Sequence, residues 1–591
     1  IGGNLIQWKI LILPGMIIKK MAMSIEYNLA GGKDRWWNWN KITRFSFGNK
    51  RRKRTAAPFQ HGMLPDRESG NREGKIAMIK IRLIERWFLL ALFVPLSSAA
   101  RDEASPYFQI QVIDQQTGRG VPLVELETVN NILYVTDSQG IAAFLEPGLM
   151  NQTVFFHVRS HGYEIQKDGF GMAGVRLDTK PGGSATIPIQ RRNIAERLYR
   201  VTGQGIYRDS VLTGAPVPLR EPVLNGGVLG QDSVLPALYH GRIYWFWGDT
   251  NRASYPLGNF RMSGATSELP AKGGLPPGKG IDLHYFVNDD GFCRSLCPIV
   301  NEGLIWIDGV TVLPDTGGTE RLAARYSHLR KLGDVLGQGL VRFNDAVQTF
   351  EKWTELDLAN QWRLPRGHAM RSPDSRDTYV YYMIAYPVVR VRADLTLLAD
   401  PNAYEAFTCL TPGETFRGKD SVVERDDQGR PVYAWKKNTD PVDVKEEQEL
   451  VQQGLIKPDE AHFLPRDVES GETVAIHSGS VYWNAYRNRW ILIGVQMGGK
   501  TSFLGEVWYA EADAPSGPWR RVRRIVTHDK YTFYNPVHHP FFDEEGGRLI
   551  YFEGTYSRTF SDAPAATPRY DYNQIMYRLD LADPRLRLEK P

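Results

Sequence analysis

The sequence predicts an all-β protein in which a small β-sandwich precedes a β-propeller. Three observations carry this. Short stretches alternate apolar and polar residues with a period of two, Asp/Gly turns separate them, and from about residue 205 a strand–turn–aromatic-strand unit recurs. Five repeats fit best, six are possible, and the drifting spacing suits blades that bury their faces against one another around a central channel.

The chain begins with an unusual stretch. Residues 1–100 hold 18 Lys+Arg against 6 Asp+Glu, a balance of +12, so the remainder of a chain that is +5 overall carries −7. The basicity is local and gives no footing for a nucleic-acid partner. From Met78 the sequence reads as an export signal: Lys80, Arg82 and Arg86, then the apolar run Trp87 to Leu96, then Ser98-Ala99-Ala100. That run is too short to cross a hydrocarbon layer of about 30 Å, and its flanks fit a cleaved secretory signal over residues 78–100. Residues 1–77 then read as upstream sequence; a basic tail ahead of an uncleaved anchor is the competing reading. The expected mature chain is secreted, periplasmic or displayed at the cell surface, with no transmembrane span.

Residues 101–200 come next. Phe108, Ile110 and Val112 alternate with polar residues, and turns fall at Asp114-Gln-Gln-Thr-Gly118 and Thr136-Asp137-Ser-Gln-Gly140. Val154-Phe-Phe-His-Val158 supplies a further strand. Short strands at this spacing predict a β-sandwich. The wording V-x-D-x-x-T-G-x-x-V-P followed by T-D-x-x-G, over residues 107–190, resembles the carboxypeptidase regulatory-like fold. That resemblance implies a spacer role.

The repeat region, 205–591, shows its clearest aromatic second strands at Arg242 to Trp247, Thr378 to Met383, Arg489 to Ile493 and Arg548 to Phe552, with a weaker one at Arg321 to Tyr326. Third strands occur at Gly505 to Ala510 and Gln574 to Arg578. The charged stretch 411–470 reads as an insertion holding a helix near Asp440 to Glu449; Arg430 to Trp435 is an alternative start for a sixth repeat. Aromatic residues make up 11% of the chain, which blade packing absorbs. Three cysteines, Cys293, Cys297 and Cys409, cannot form a disulfide framework; Cys293 and Cys297 either pair or stay as buried thiols. No zinc spacing, nucleophile elbow, phosphate loop or dinucleotide fingerprint occurs. No cofactor is called for, although a structural or channel cation such as calcium is compatible.

Gly230-Gln-Asp-Ser-Val234 leading to Tyr244-Trp-Phe-Trp-Gly-Asp-Thr250 resembles the first blade of five-bladed glycosidase-like propellers: glycoside hydrolase family 43 and its arabinan-degrading relatives. Leu504 to Trp519, with its corner Asp513-Ala-Pro-Ser-Gly-Pro-Trp519, and Tyr534-Asn-Pro-Val-His-His-Pro540 are similar to later parts of those propellers. The resemblance spans most of 225–560 and implies a glycoside hydrolase, acting on a poly- or oligosaccharide with inversion.

Glycosidic hydrolysis requires two carboxyl groups about the scissile bond. The resemblance implies Asp232 as general base. Asp249 is placed to orient substrate or tune a neighbour, or to bond its own turn. Glu506, set among apolar and aromatic residues, is the candidate acid, although in family 43 the acid comes from an earlier blade. His368, Arg371, His477, Tyr534, Asn535, His538 and His539 stand where first strands should start and are the candidate sugar-binding groups. Two alternatives stay open: a non-catalytic carbohydrate- or protein-binding propeller, and a polysaccharide lyase using residues such as His539 and Tyr534.

The export reading predicts that the mature protein begins near Arg101 and that deleting residues 1–77 leaves export and folding unchanged. N-terminal sequencing of the native protein checks this, and finding residues 1–77 in the exported form would refute it.

Overall fold

The computed structural model describes residues 105–589 apart from 332, 375 and 376. The predicted signal and the stretch ahead of it lie outside the described residues. The described chain is all-β, with two short α-helices, Arg208–Leu212 and Val444–Gln452.

Two four-stranded sheets form the N-terminal part. Phe108–Asp114 lies between Ile141–Phe144 and Ser184–Arg191, with Tyr163–Glu164 at the edge; Glu125–Thr128 lies between Leu133–Val135 and Gln152–Arg159, with Gly174–Thr179 beyond. Alternation decides which residues face inward. Ile110, Val112, Phe144, Phe156, Val158, Ile187 and Ile189 form one buried cluster between the sheets. The turn at 114–118 closes on the Asp114 carboxylate, which accepts the Gln116 N–H at 2.8 Å.

Five larger antiparallel sheets come after it in chain order. The first consists of Val234–Tyr239, Arg242–Trp247, Ser263–Ser267 and His284–Tyr285. The second consists of Leu304–Pro314, Glu320–Lys331, Asp334–Asn344 and Thr349–Leu356. The third begins with His368–Asp374, Asp377–Met383 and Pro387–Arg392, and continues through Glu405–Thr408 to Ala434–Lys437. The fourth holds Ile476–Asn484, Arg489–Gln496, Val507–Ala512 and Arg521–Val526, edged by Arg466–Asp467. The fifth holds Thr532–His538, Leu549–Ser557 and Asn573–Asp580, and its fourth strand is Glu196–Arg200, drawn from before the first sheet.

The aromatic second strands owe their near-continuous apolar character to burial on both faces. In Arg242–Trp247, Ile243, Trp245 and Trp247 pack with Tyr199, Val537, Tyr551 and Met576 of the fifth sheet. Tyr244 and Phe246 point the other way, against Ile305, Tyr326 and Phe343 of the second. Leu492 and its neighbours Ile491 and Ile493 split in the same manner between the third and fifth sheets. Period-2 alternation thus sends one strand's side chains into two different cores.

Hydrogen bonds at or near the first strands link the second sheet through to the fifth and the fifth to the first, while the first packs on the second through apolar side chains. The Gly309 N–H donates to the Gly367 carbonyl at 2.8 Å, the Gly479 N–H to the Ile384 carbonyl at 2.7 Å, and the His538 N–H to Ser480 Oγ at 2.9 Å. Asn535 Nδ2 donates to Ser233 Oγ at 2.6 Å, joining the last sheet to the first. Gly479 has no alternative here, since a Cβ at that position would lie 2.4 Å from the Ile493 carbonyl oxygen.

The insertion after the third sheet contains the Val444–Gln452 helix, started by a capping box of Asp443 and Glu446. Residues 434–437 pair with Glu405–Thr408 as an edge strand of the third sheet, so 430–435 does not begin a sixth sheet. All three cysteines are buried and free, which settles the Cys293–Cys297 alternative in favour of thiols.

Tyr199, on the closing strand, is 1% exposed and donates to the Pro277 carbonyl at 2.6 Å, tying the fifth sheet to the first. Tyr199→Ala is expected to cost about 3–5 kcal/mol through lost packing. Tyr199→Phe, which strands only the Pro277 carbonyl, should cost about 1–2 kcal/mol. Urea unfolding of both variants measures the difference.

Candidate active site

At one end of the ring the first strands begin with polar residues, and backbone irregularities turn them inward. In the second sheet a register shift between Asp308 and Thr311 accommodates Gly309, whose φ is +60°. In the fourth, a shift between Ile476 and Ser478 sets out His477. In the fifth, the pairing shifts between Tyr534 and Val537, and Asn535 sits there in the left-handed region at φ +50°. Bulges of this kind re-aim side chains at the rim of closed sheets.

Asp232 and Asp249 form the centre of the cluster. Their backbones pair, with the Asp232 N–H donating to the Asp249 carbonyl at 3.1 Å and the Gly248 N–H donating to the Asp232 carbonyl at 3.1 Å. Asp232 Oδ1 accepts Tyr534 OH at 2.7 Å and Ser233 Oγ at 2.8 Å, and Tyr572 also donates to this carboxylate. Burial and the neighbouring Asp232 charge hold the Tyr534 and Tyr572 hydroxyls far above the ordinary phenol range. They remain protonated and donate to the carboxylate they face.

Burial pushes the Asp249 pKa from 3.8 up to about 6, the Trp306 indole N–H, at 3.0 Å from Oδ1, pulls it back, and the charge of Asp232 raises it again. Asp249 is thus a carboxyl able to hold a proton near neutrality, set beside a second carboxylate.

Sequence reasoning missed the neighbouring groups on the second sheet. Asp308 Oδ2 accepts Arg325 Nη1 at 3.1 Å, whereas its Oδ1 is buried with no protein partner among the described residues. Burial raises this carboxyl, and the charges of Arg325 and Arg366 oppose the rise. The available signal was Ile305-Trp-Ile-Asp-Gly309, an apolar strand that places Trp306 and Asp308 on one face by its period of two and ends its regular pairing at a glycine.

The remaining candidates divide. His368 begins the first strand of the third sheet, and burial, reinforced by repulsion from His539, lowers its pKa to about 4; it is a neutral imidazole at neutral pH. His477 is exposed at its bulge, and partial desolvation lowers its pKa. Arg371 lies three residues beyond His368, on the opposite face of the strand, and is exposed there.

Three expectations need correction. Glu506 is 2% exposed, yet its surroundings are not apolar: its carboxylate accepts Thr527 Oγ1 at 2.7 Å, Arg524 Nη1 at 3.1 Å and the Thr501 hydroxyl. Its oxygens are committed to a cation and two hydroxyls and do not face a substrate. His538 and His539 are sealed inside and do not reach a sugar. His538 pairs with Asp543 at 2.7 Å, and His539 with Glu553 at 3.0 Å beside the edge of Trp245. The alternation of a strand carries them past the mouth into the interfaces between sheets.

Among the described residues no cluster of three or more His, Cys, Asp or Glu could hold a metal ion, and no helix is long and apolar enough to cross a membrane.

No family model and no curated protein matches the chain. Solved structures similar to it include an exo-1,5-α-L-arabinanase from a bovine ruminal metagenomic library, 10% identical, covering 60% of this chain and 94% of that one with a TM-score of 0.30. A mutant α-L-arabinofuranosidase of Fusarium graminearum in complex with an iminosugar inhibitor is 12% identical, with 66% and 99% covered and a TM-score of 0.30. A family 117 glycoside hydrolase of Zobellia galactanivorans is 11% identical, with 66% and 91% covered and a TM-score of 0.30. These likenesses are too distant to assign chemistry, which has to come from the side chains themselves.

Because Asp249 binds its proton more tightly in the folded state, its contribution to stability is full below about pH 4 and is lost as pH rises through about 6. Asn does not titrate. Asp249→Asn is therefore expected to gain melting temperature relative to the parent between pH 4 and pH 7.5, as read by calorimetry. A gap that stays constant with pH would show an ordinary carboxyl.

Proposed function

We propose that the five sheets are the blades of one propeller, and that its polar mouth hydrolyses a glycosidic bond. Asp232, oriented by the Tyr534 and Ser233 hydroxyls, acts as general base on a water molecule. Asp249 acts as general acid: it transfers its proton to the departing glycosidic oxygen while the water oxygen, giving its proton to Asp232, bonds to the anomeric carbon. Asp308 with Arg325, together with neutral His368, offers hydrogen bonds to sugar hydroxyls. The reading rests on one observation above others, the raised pKa of Asp249 beside Asp232, whose carboxylate accepts the Tyr534 hydroxyl. Trp306 supports it by fixing the Asp249 carboxyl through its indole N–H. The chain is read as exported, with residues 107–190 as a spacer of the carboxypeptidase regulatory-like kind.

A carbohydrate-binding propeller without catalysis would use the same mouth and needs no proton on Asp249. A lyase reading loses His539, which is 0% exposed.

Oligosaccharides of α-1,5-arabinan, xylan and β-1,3-galactan form the test panel; the resemblance of residues 230–250 and 504–519 puts arabinan first. New reducing ends indicate hydrolysis, unsaturated products a lyase, and binding without products a non-catalytic module. Asp232→Asn and Asp249→Asn should each lower kcat/KM by about 10²–10⁴-fold, while Glu506→Gln should leave the chemistry in place. Since Asp249 must carry its proton, kcat/KM is expected to fall as pH rises through about 6. A rate that climbs through that range would exclude Asp249 as the acid.

A further inference from the structure

Phe560 occupies a position that folding alone does not explain. It is 63% exposed, among the most exposed large apolar side chains of the described residues. Its backbone lies in the left-handed region at φ +61°, where a bulky side chain is rarely found. A glycine would relieve that conformation, and solvent gains nothing from the ring.

The loop that carries Phe560 is nonetheless firmly tied. It joins the second and third strands of the fifth sheet. The Arg558 N–H donates to Asp571 Oδ1 at 2.5 Å, and Tyr531 OH reaches the same oxygen at 2.8 Å. Arg558 Nε donates to the Ala563 carbonyl at 2.9 Å, and Ser561 Oγ to the Arg558 carbonyl at 2.7 Å. These bonds hold the ring out in front of one particular neighbour. The Phe560 ring stands edge-on to that of Tyr534, with centroids 6.2 Å apart and planes at 78°. Tyr534 is the residue whose hydroxyl donates to Asp232. The far end of the same loop supplies Tyr572, the other phenol on that carboxylate.

An exposed aromatic face set beside converging hydrogen-bonding groups has the form of a sugar subsite: C–H bonds of a pyranose or furanose lie on the ring while hydroxyls meet the polar side. We propose that Phe560 is the apolar platform of the sugar unit bound next to Asp232, and that this loop sets how tightly the glycan is held. The proposal rests on the carbohydrate reading of the mouth, but not on hydrolysis.

Binding of arabinopentaose, xylopentaose and galactopentaose is measured by calorimetry on the full chain carrying Asp249→Asn, with Phe560 intact or replaced. Phe560→Gly is expected to raise Kd for the bound pentasaccharide at least about tenfold, and Phe560→Trp to keep it within about threefold, as for an aromatic contact. In the otherwise unaltered enzyme, Phe560→Gly should act on KM while kcat stays within about threefold. A structural role would instead lower the melting temperature; here it should hold or rise, because glycine accepts a positive φ. Weaker binding without any turnover would sustain the platform and refute hydrolysis. Unchanged Kd in Phe560→Gly, or an intact ring that binds none of the three sugars, would overturn the platform.

Discussion

The ring depends on one pairing, that of Glu196–Arg200 with Asn573–Asp580. Without it the fifth sheet has three strands and an open edge, and the apolar faces of Trp245, Trp247 and Tyr551 lose their cover. Its side chains divide their duties. Tyr199 and Leu198 enter the core shared with the first sheet, whereas Arg197 turns to the N-terminal part and donates to the Pro122 carbonyl at 3.0 Å and the His161 carbonyl at 3.2 Å. Glu196 meets Arg578 across the seam. Five residues thus bind the first sheet, the last sheet and the N-terminal sheets into one body.

The same seam builds the chemistry. Asp232 belongs to the first sheet, but the hydroxyls that donate to it come from Tyr534 of the fifth and from Tyr572 just ahead of that sheet's third strand. Asp249 takes its indole donor from the second. The hydrogen-bonded arrangement of the two carboxyls therefore exists only when three sheets are in place. It is a property of the closed ring, and no single blade motif contains it.

That explains which features were legible in the sequence and which were hidden. The aromatic second strands were plain, since burial on both faces forces continuous apolar runs such as Ile243 to Trp247. Asp249 follows such a run directly, and Asp232 lies in the Gly230 to Val234 stretch that carries the resemblance. Glu506 misled because its apolar sequence neighbours Val507 and Trp508 point into cores, while its partners Arg524 and Thr527 lie about twenty residues away. His538 and His539 misled for a related reason: the bulge at Asn535 ends the channel-facing part of the strand, and the residues beyond it are interior. For Trp306 and Asp308 the local signal is faint, an apolar strand interrupted at Gly309, because the cation of Asp308, Arg325, sits on the neighbouring strand.

The origin of the closing strand also bears on how the molecule is made. Glu196 and its partner Arg578 are 382 residues apart in the chain. During vectorial synthesis the closing strand stays without this partner until residues 573–580 have appeared. Contacts that remote are slow to form and leave a bare edge in the interim. The protein is thus obliged to carry an unfinished edge while the four sheets between are made, and the docking of the fifth sheet on strand 196–200 also brings Tyr534 and Tyr572 to Asp232.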